Sequence, residues 1–79
     1  MFRDYYAILE VDRNCSAEDI RSAYRSLSKK WHPDRNPGKD TSKEMIDIND
    51  AYSILKDPAS RRLYDVAYDK YVLYLQEQK

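Results

Sequence analysis

The stretch that decides the fold is Ile20-Arg21-Ser22-Ala23-Tyr24-Arg25-Ser26-Leu27-Ser28-Lys29-Lys30-Trp31-His32-Pro33-Asp34. At about 100° per residue, Ile20, Ala23, Tyr24, Leu27 and Trp31 share one helical arc of roughly 100°, which predicts a core-facing side. Arg21, Arg25 and Lys29 fall on the neighbouring arc, all of one sign, although like charges at that spacing repel by about 0.2–0.5 kcal/mol per pair. Pro33 ends the helix, because it biases His32 away from the α region and removes a backbone donor. The helix thus gives way to a rigid, exposed, chargeable corner, His32-Pro33-Asp34, that core packing does not require.

Working outward, Ser16 with Asp19 reads as the acidic variant of a capping box, and Cys15 with Ile20 has the spacing of a hydrophobic staple. A helix over about residues 17–31 is therefore predicted. Beyond the corner, a loop carrying Pro37-Gly38 leads to Thr41 or Ser42, either of which can cap a helix over about 42–56. Its apolar stripe is Met45, Ile48, Ala51, Tyr52 and Leu55, while Asp47 and Asp50 point elsewhere. Asp57-Pro58 combines a capping acid with a proline at the first helical position, so a further helix starts at about 58. Tyr64, Tyr68, Tyr71, Val72 and Leu75 carry its stripe nearly to the end. At the other terminus, Asp4 caps a short helix from Tyr5 to about Leu9, with Tyr6, Ile8, Leu9 and Val11 as its apolar contacts. No strand alternation, repeat or linker interrupts this pattern. The expected fold is all-α: a long antiparallel helical hairpin with the His-Pro-Asp loop at its tip and short elements at the other end.

Composition limits the function. The chain has 79 residues, with 42% apolar and 35% charged, enough for one small domain and too little for a cofactor domain beside a substrate domain. Fourteen basic and fourteen acidic residues balance to a net charge of zero, so no global field favours nucleic acid or anionic lipid. One cysteine and one histidine are too few for an internal disulfide or a Cys/His zinc site. Neither metal nor cofactor is expected. No apolar run suits a signal peptide or a membrane span, and the lone Cys15 suits a reducing compartment, so a cytoplasmic location is expected.

These residues resemble the J domain of DnaJ-type, heat-shock 40 class, co-chaperones, over Asp4 to Asp65. The resemblance is carried by Asp4-Tyr5-Tyr6 with Ile8-Leu9 and Val11, by Ile20-Arg21 with Ala23-Tyr24-Arg25, and by His32-Pro33-Asp34-Arg35-Asn36. Ala51-Tyr52, Leu55, Asp57, Arg61-Arg62 and Tyr64-Asp65 complete it. It implies a single J domain across residues 1–79, with 66–79 as a helical extension toward a region outside this chain. It also implies a monomeric, non-enzymatic module that docks on a DnaK-type, heat-shock 70 chaperone and stimulates its ATP hydrolysis, with the client polypeptide handled elsewhere.

The docking residues implied are His32, Pro33 and Asp34, with Arg21, Tyr24, Arg25 and Lys29 on the basic helix and Arg35 and Asn36 in the loop. Asp34 would offer a carboxylate to a basic group of the partner, and Pro33 would hold the corner rigid. The bland alternative makes the tripeptide a helix stop and the basic stripe a solvated face. Tyr24, at the edge of the apolar arc nearest the basic one, reads as half core and half contact surface. Trp31 reads as a core plug at the hairpin tip, and Lys30 as solvated. Departures from the family pattern are Glu10 in place of a glycine, so that the turn after the first helix need not adopt a positive φ, Met45 for a phenylalanine, and Trp31 for a tyrosine.

Two other functions use the same residues. A nucleic-acid-binding helical domain would place Arg21, Arg25 and Lys29 on phosphates, but zero net charge and an acid in the key loop are poorly suited to that. A hydrolase built on His32 and Asp34 would need a pocket and a nucleophile, and nothing sets Ser26 or Ser28 beside His32.

Overall fold

Each helix begins where a side chain can take over a backbone donor that has no partner inside the helix. The computed structural model describes residues 2–78. Helix α1 spans Tyr5–Ile8, with the Asp4 carboxylate accepting from the Ala7 amide at 3.0 Å. Helix α2 spans Ala17–Lys30, and its capping box is complete: Asp19 N–H donates to Ser16 Oγ, and Ser16 N–H to Asp19 Oδ2. Helix α3 covers Ser42–Leu55 and helix α4 covers Pro58–Glu77. At the start of α4, Asp57 Oδ2 accepts from both the amide and the hydroxyl of Ser60, which holds its carboxyl below the usual range. Among the described residues there is no strand.

The α3 cap differs from the sequence expectation. Thr41 precedes the helix with φ −102° and ψ 15°, too close to helical for its hydroxyl to reach back to the first amides, and it makes no capping bond. Asp40 does that work from one residue further out, accepting from the Ser42 amide at 2.9 Å. Thr41 is buried instead.

Glu10 sits in the turn after α1. It adopts φ 58°, the left-handed conformation that a glycine would take freely and that the turn need not have kept with a glutamate. The reason lies in how α1 ends. Glu10 N–H donates to Ala7 O and Val11 N–H to Tyr6 O, the paired bonds of a Schellman motif, which needs a left-handed residue between them. A residue with a Cβ costs about 1–2 kcal/mol there, partly offset in a glycine by the greater freedom of the unfolded chain. Glu10→Gly is therefore expected to stabilise the domain by roughly 0.5–1 kcal/mol, read as a melting temperature raised by a few degrees.

α3 is the central element and packs against α1, α2 and α4. Tyr6, Leu9, Ile20, Leu27, Ile48, Ala51 and Leu55 form the buried core. Every residue of the α2 arc reaches it, with Ile20 and Leu27 buried and Ala23, Tyr24 and Trp31 packed on its margin. Met45 and Tyr52 do the same from α3. Asp47 and Asp50 turn away from the core, as expected, but they are not idle: Arg3 forks between them at 2.7 and 2.9 Å. At this exposure such pairs contribute about 0–1 kcal/mol.

The N-terminal segment is fastened to α4 by a polar network among aromatic rings. Tyr6 Oη donates to Asp65 and accepts from Arg61 Nε, while Arg61 Nη2 donates to the carbonyls of Arg13 and Cys15. Tyr64 Oη donates to Arg3 O and accepts from the Tyr5 amide. Phe2 stacks on Tyr64 and Tyr71 at centroid separations of 5.5 and 4.5 Å. Tyr64 and Tyr68 both pack against the core and cover it from α4. α4 then outruns the hairpin, and Leu75, read as the end of its stripe, lies exposed with Leu73 and Tyr74, where no other described element packs on them.

Burial pushes the Tyr6 hydroxyl up to about 12, with the Asp65 hydrogen bond adding to it, and burial likewise pushes Tyr64 up to about 12. Both exceed the ordinary value of 10, so the folded chain holds these protons more tightly than the unfolded chain. Their stabilising contribution is complete below pH 10 and is lost as pH rises through about 12. Helicity followed by circular dichroism is expected to show the melting temperature falling across that window, less steeply in Tyr6→Phe.

Candidate functional site

The hairpin tip is built by the proline. α2 ends at Lys30 with Trp31 as its cap, and the chain turns extended at His32, φ −62° and ψ 138°, as a residue before proline prefers. Pro33–Arg35 then forms a single 3-10 turn. His32 caps that turn with its own side chain: Nδ1 accepts from the Asp34 amide at 3.2 Å, which puts the proton of the neutral ring on Nε2. Asp34 Oδ2 lies 3.7 Å from the same nitrogen, and the Asp34 side chain is 91% exposed. Among the described residues the carboxylate has no cationic partner apart from a protonated His32.

Asn36 holds the loop through its side-chain amide. The resemblance puts it on the docking face, but its Nδ2 donates to the carbonyls of Lys30 and His32, both at 2.9 Å. These bonds tie the corner to the last turn of α2 and occupy both amide hydrogens. Asn36 is a positioning residue, half-buried beneath the loop. The sequence carried a signal for this: an asparagine a few residues past a helix end can satisfy the carbonyls that the helix leaves open.

Along α2, Arg21, Arg25 and Lys29 are exposed on one face, and Lys29 reaches the groove shared by Ser28, His32, Asp34 and Arg35. Arg21 pairs with Glu18 at 3.2 Å, whereas among the described residues Arg25, Lys29 and Arg35 form no ion pair. Three cations are thus free beside one free carboxylate. Tyr24 is half-buried: its ring stacks on Tyr52 with centroids 4.0 Å apart, and its hydroxyl donates to Asn49. The half-core reading of Tyr24 fits, and the stack carries its exposed edge across to α3. Trp31 packs on the core margin, and Lys30, read as solvated, holds its ammonium 5.6 Å from the Trp31 ring centre. Lys29, Arg35 and the Asp34 carboxylate share an open groove at the proline corner, with Arg25 one turn further along α2.

Comparison with known proteins agrees with this geometry. The family model described as the DnaJ domain matches residues 4–65. The chain belongs to the DnaJ domain family. The J domain is 51% identical over 67 residues to the chaperone protein DnaJ of Thermoplasma volcanium, covering 82% of this chain and 18% of that protein. It is 47% identical over 64 residues to the DnaJ-related protein SCJ1 of Saccharomyces cerevisiae, covering 80% of this chain and 17% of that protein. The crystal structure of the J-Trx1 fragment of ERdj5 matches with a TM-score of 0.75 at 37% identity, over 81% of this chain and 32% of that one. The J domain therefore spans less than a fifth of the length of these two curated relatives. The all-α J-domain fold, with its long hairpin and a C-terminal helix from Pro58, is as the sequence predicted. J domains are non-catalytic co-chaperone modules that in general partner heat-shock 70 chaperones and stimulate their ATP hydrolysis. Among the described residues no helix is long and apolar enough to cross a membrane.

Two structural contributors escaped the sequence reading. Neither Arg61 nor Arg3 carries a local signal of its role, since both act through partners more than forty residues away.

Proposed function

We propose that this J domain docks on a DnaK-type, heat-shock 70 chaperone through His32, Pro33, Asp34 and the face carrying Arg21, Tyr24, Arg25, Lys29 and Arg35, and that docking stimulates the chaperone's ATP hydrolysis. Asn36 supports the face from beneath. The observation that carries this reading is the free Asp34 carboxylate, held out on a proline corner beside the unpaired Lys29 and Arg35, with Arg25 one turn along the same face. A surface of that kind fits a partner with an acidic patch beside a single basic group. The cations raise the encounter rate, and the carboxylate supplies a directional, charge-assisted bond. A rigid corner loses little entropy on docking.

The 79 residues act in this reading as one J domain and as a monomer. Residues 66–79 form the lead into further chain that handles the client polypeptide, in keeping with the small fraction of its relatives that the chain spans. The cytoplasm is the compartment proposed, in keeping with a lone, unpaired Cys15.

The test is single-turnover ATP hydrolysis by a DnaK-type chaperone with this chain or its His32→Gln variant added, after circular dichroism has established that both are folded. Stimulation by the wild type that falls at least tenfold in the variant is the expected result. A folded wild type that leaves hydrolysis unchanged across several DnaK-type chaperones would sink the proposal.

A further inference from the structure

His32 stands in two relationships to Asp34 that respond oppositely to a proton. With the ring neutral, Nδ1 is an acceptor and takes the Asp34 amide hydrogen at 3.2 Å, which caps the 3-10 turn. The Asp34 carboxylate, 3.7 Å from the same nitrogen, then gains nothing from it and stays available to a partner. Protonation reverses both. Nδ1 becomes a donor, so it repels the amide hydrogen it had accepted, and the nearest acceptor for its new hydrogen is the carboxylate. The movement needed is small, because 3.7 Å exceeds a normal charged hydrogen bond by less than an ångström.

We propose that this corner is a proton-operated switch, in which protonation of His32 draws the Asp34 carboxylate into an intramolecular ion pair and withdraws it from the chaperone. The proposal rests on the docking reading above. Lys29 from α2 and Arg35 from the 3-10 turn face the same groove and oppose a positive ring, while Asp34 favours it. Among the described residues no other acid lies within ion-pair distance of His32. Both His32 and Asp34 are exposed, so protons reach the ring freely and the switch needs no opening of the fold. The corner is held from outside the pair by Asn36, which bonds backbone carbonyls and is indifferent to pH. The change is therefore confined to the two side chains and one amide. Histidine suits the task because an imidazole changes charge near pH 6.5.

The test has two arms. In the first, nuclear magnetic resonance follows the Asp34 amide and side-chain carboxyl carbon of the 79-residue chain between pH 7.5 and 5.5, above the range in which carboxylates titrate. Both signals are expected to move with the His32 ring carbons, at one midpoint, and to stay fixed in His32→Gln. An Asp34 amide that ignores the ring's titration overturns the switch, whatever the chaperone does. In the second, the affinity for a DnaK-type chaperone is measured at both pH values, with basal hydrolysis recorded at each to show that the chaperone is competent. Affinity is expected to be several-fold weaker at pH 5.5 than at pH 7.5, across the range in which an imidazole ordinarily gains its charge. Binding at pH 7.5 that is unchanged at 5.5 overturns the switch alone; absence of binding at pH 7.5 overturns the docking reading and the switch's role with it.

Discussion

Asp34→Asn is expected to abolish stimulation of ATP hydrolysis while leaving the domain as stable as the wild type. The Asp34 side chain is 91% exposed and touches no core residue, and its one structural bond is made by its backbone amide to His32 Nδ1. Asparagine keeps the size and the amide hydrogen and removes only the charge. A carboxylate that meets a basic group on a desolvated face contributes through charge-assisted hydrogen bonds, and removing one partner of such a pair costs roughly 2–5 kcal/mol. At about 1.4 kcal/mol per tenfold, that is a loss of roughly 1.5–3.5 orders of magnitude in affinity. Thermal melts of the two proteins should coincide within about a degree, since surface changes of this kind stay within about 0.5 kcal/mol. Full stimulation by a folded Asp34→Asn variant would remove the carboxylate from the mechanism.

Ile20→Ala is expected to do the reverse, striking stability and reaching function only through it. Ile20 is fully buried, one turn into α2, where the arc of that helix meets the rest of the core. Its truncation removes apolar contact and leaves a cavity, at a cost of roughly 2–5 kcal/mol. A domain of this length is stable by only about 4–12 kcal/mol in total. The melting temperature should therefore fall by roughly 10–30 °C, read by circular dichroism. At a temperature where the variant is still folded, its stimulation should match that of the wild type, because Ile20 is remote from the exposed tip. Asp34→Asn and Ile20→Ala thus separate the docking surface from the scaffold that presents it.

Much of this was legible because it is local. The capping box of Ser16 and Asp19, the cap of Asp57 and the halt at Pro33 each depend on atoms within about one helical turn, so residue order alone specifies them. The apolar arc of α2 is equally local, since helical geometry sets which side chains share a face. The candidate site was readable for the same reason: the tripeptide is contiguous, and the basic stripe follows from a spacing of four.

Where the reading failed, a neighbour distant in sequence or a backbone choice intervened. Thr41 has the right chemistry for a cap, but the chain enters α3 in a conformation that buries it and leaves the capping bond to Asp40. Glu10 has the wrong chemistry for a left-handed turn, yet the bonds closing α1 place it there.

By itself the sequence determined the number and limits of the helices, the face each turns to the core, and the corner at the hairpin tip, because all of these follow from interactions over a few residues. Only the tertiary structure decided that Arg61 would join α4 to Tyr6 and the Arg13–Cys15 turn, and that Arg3 would fork between two acids of α3. Those arrangements depend on the distances that packing sets between elements, and no periodicity along the chain encodes them.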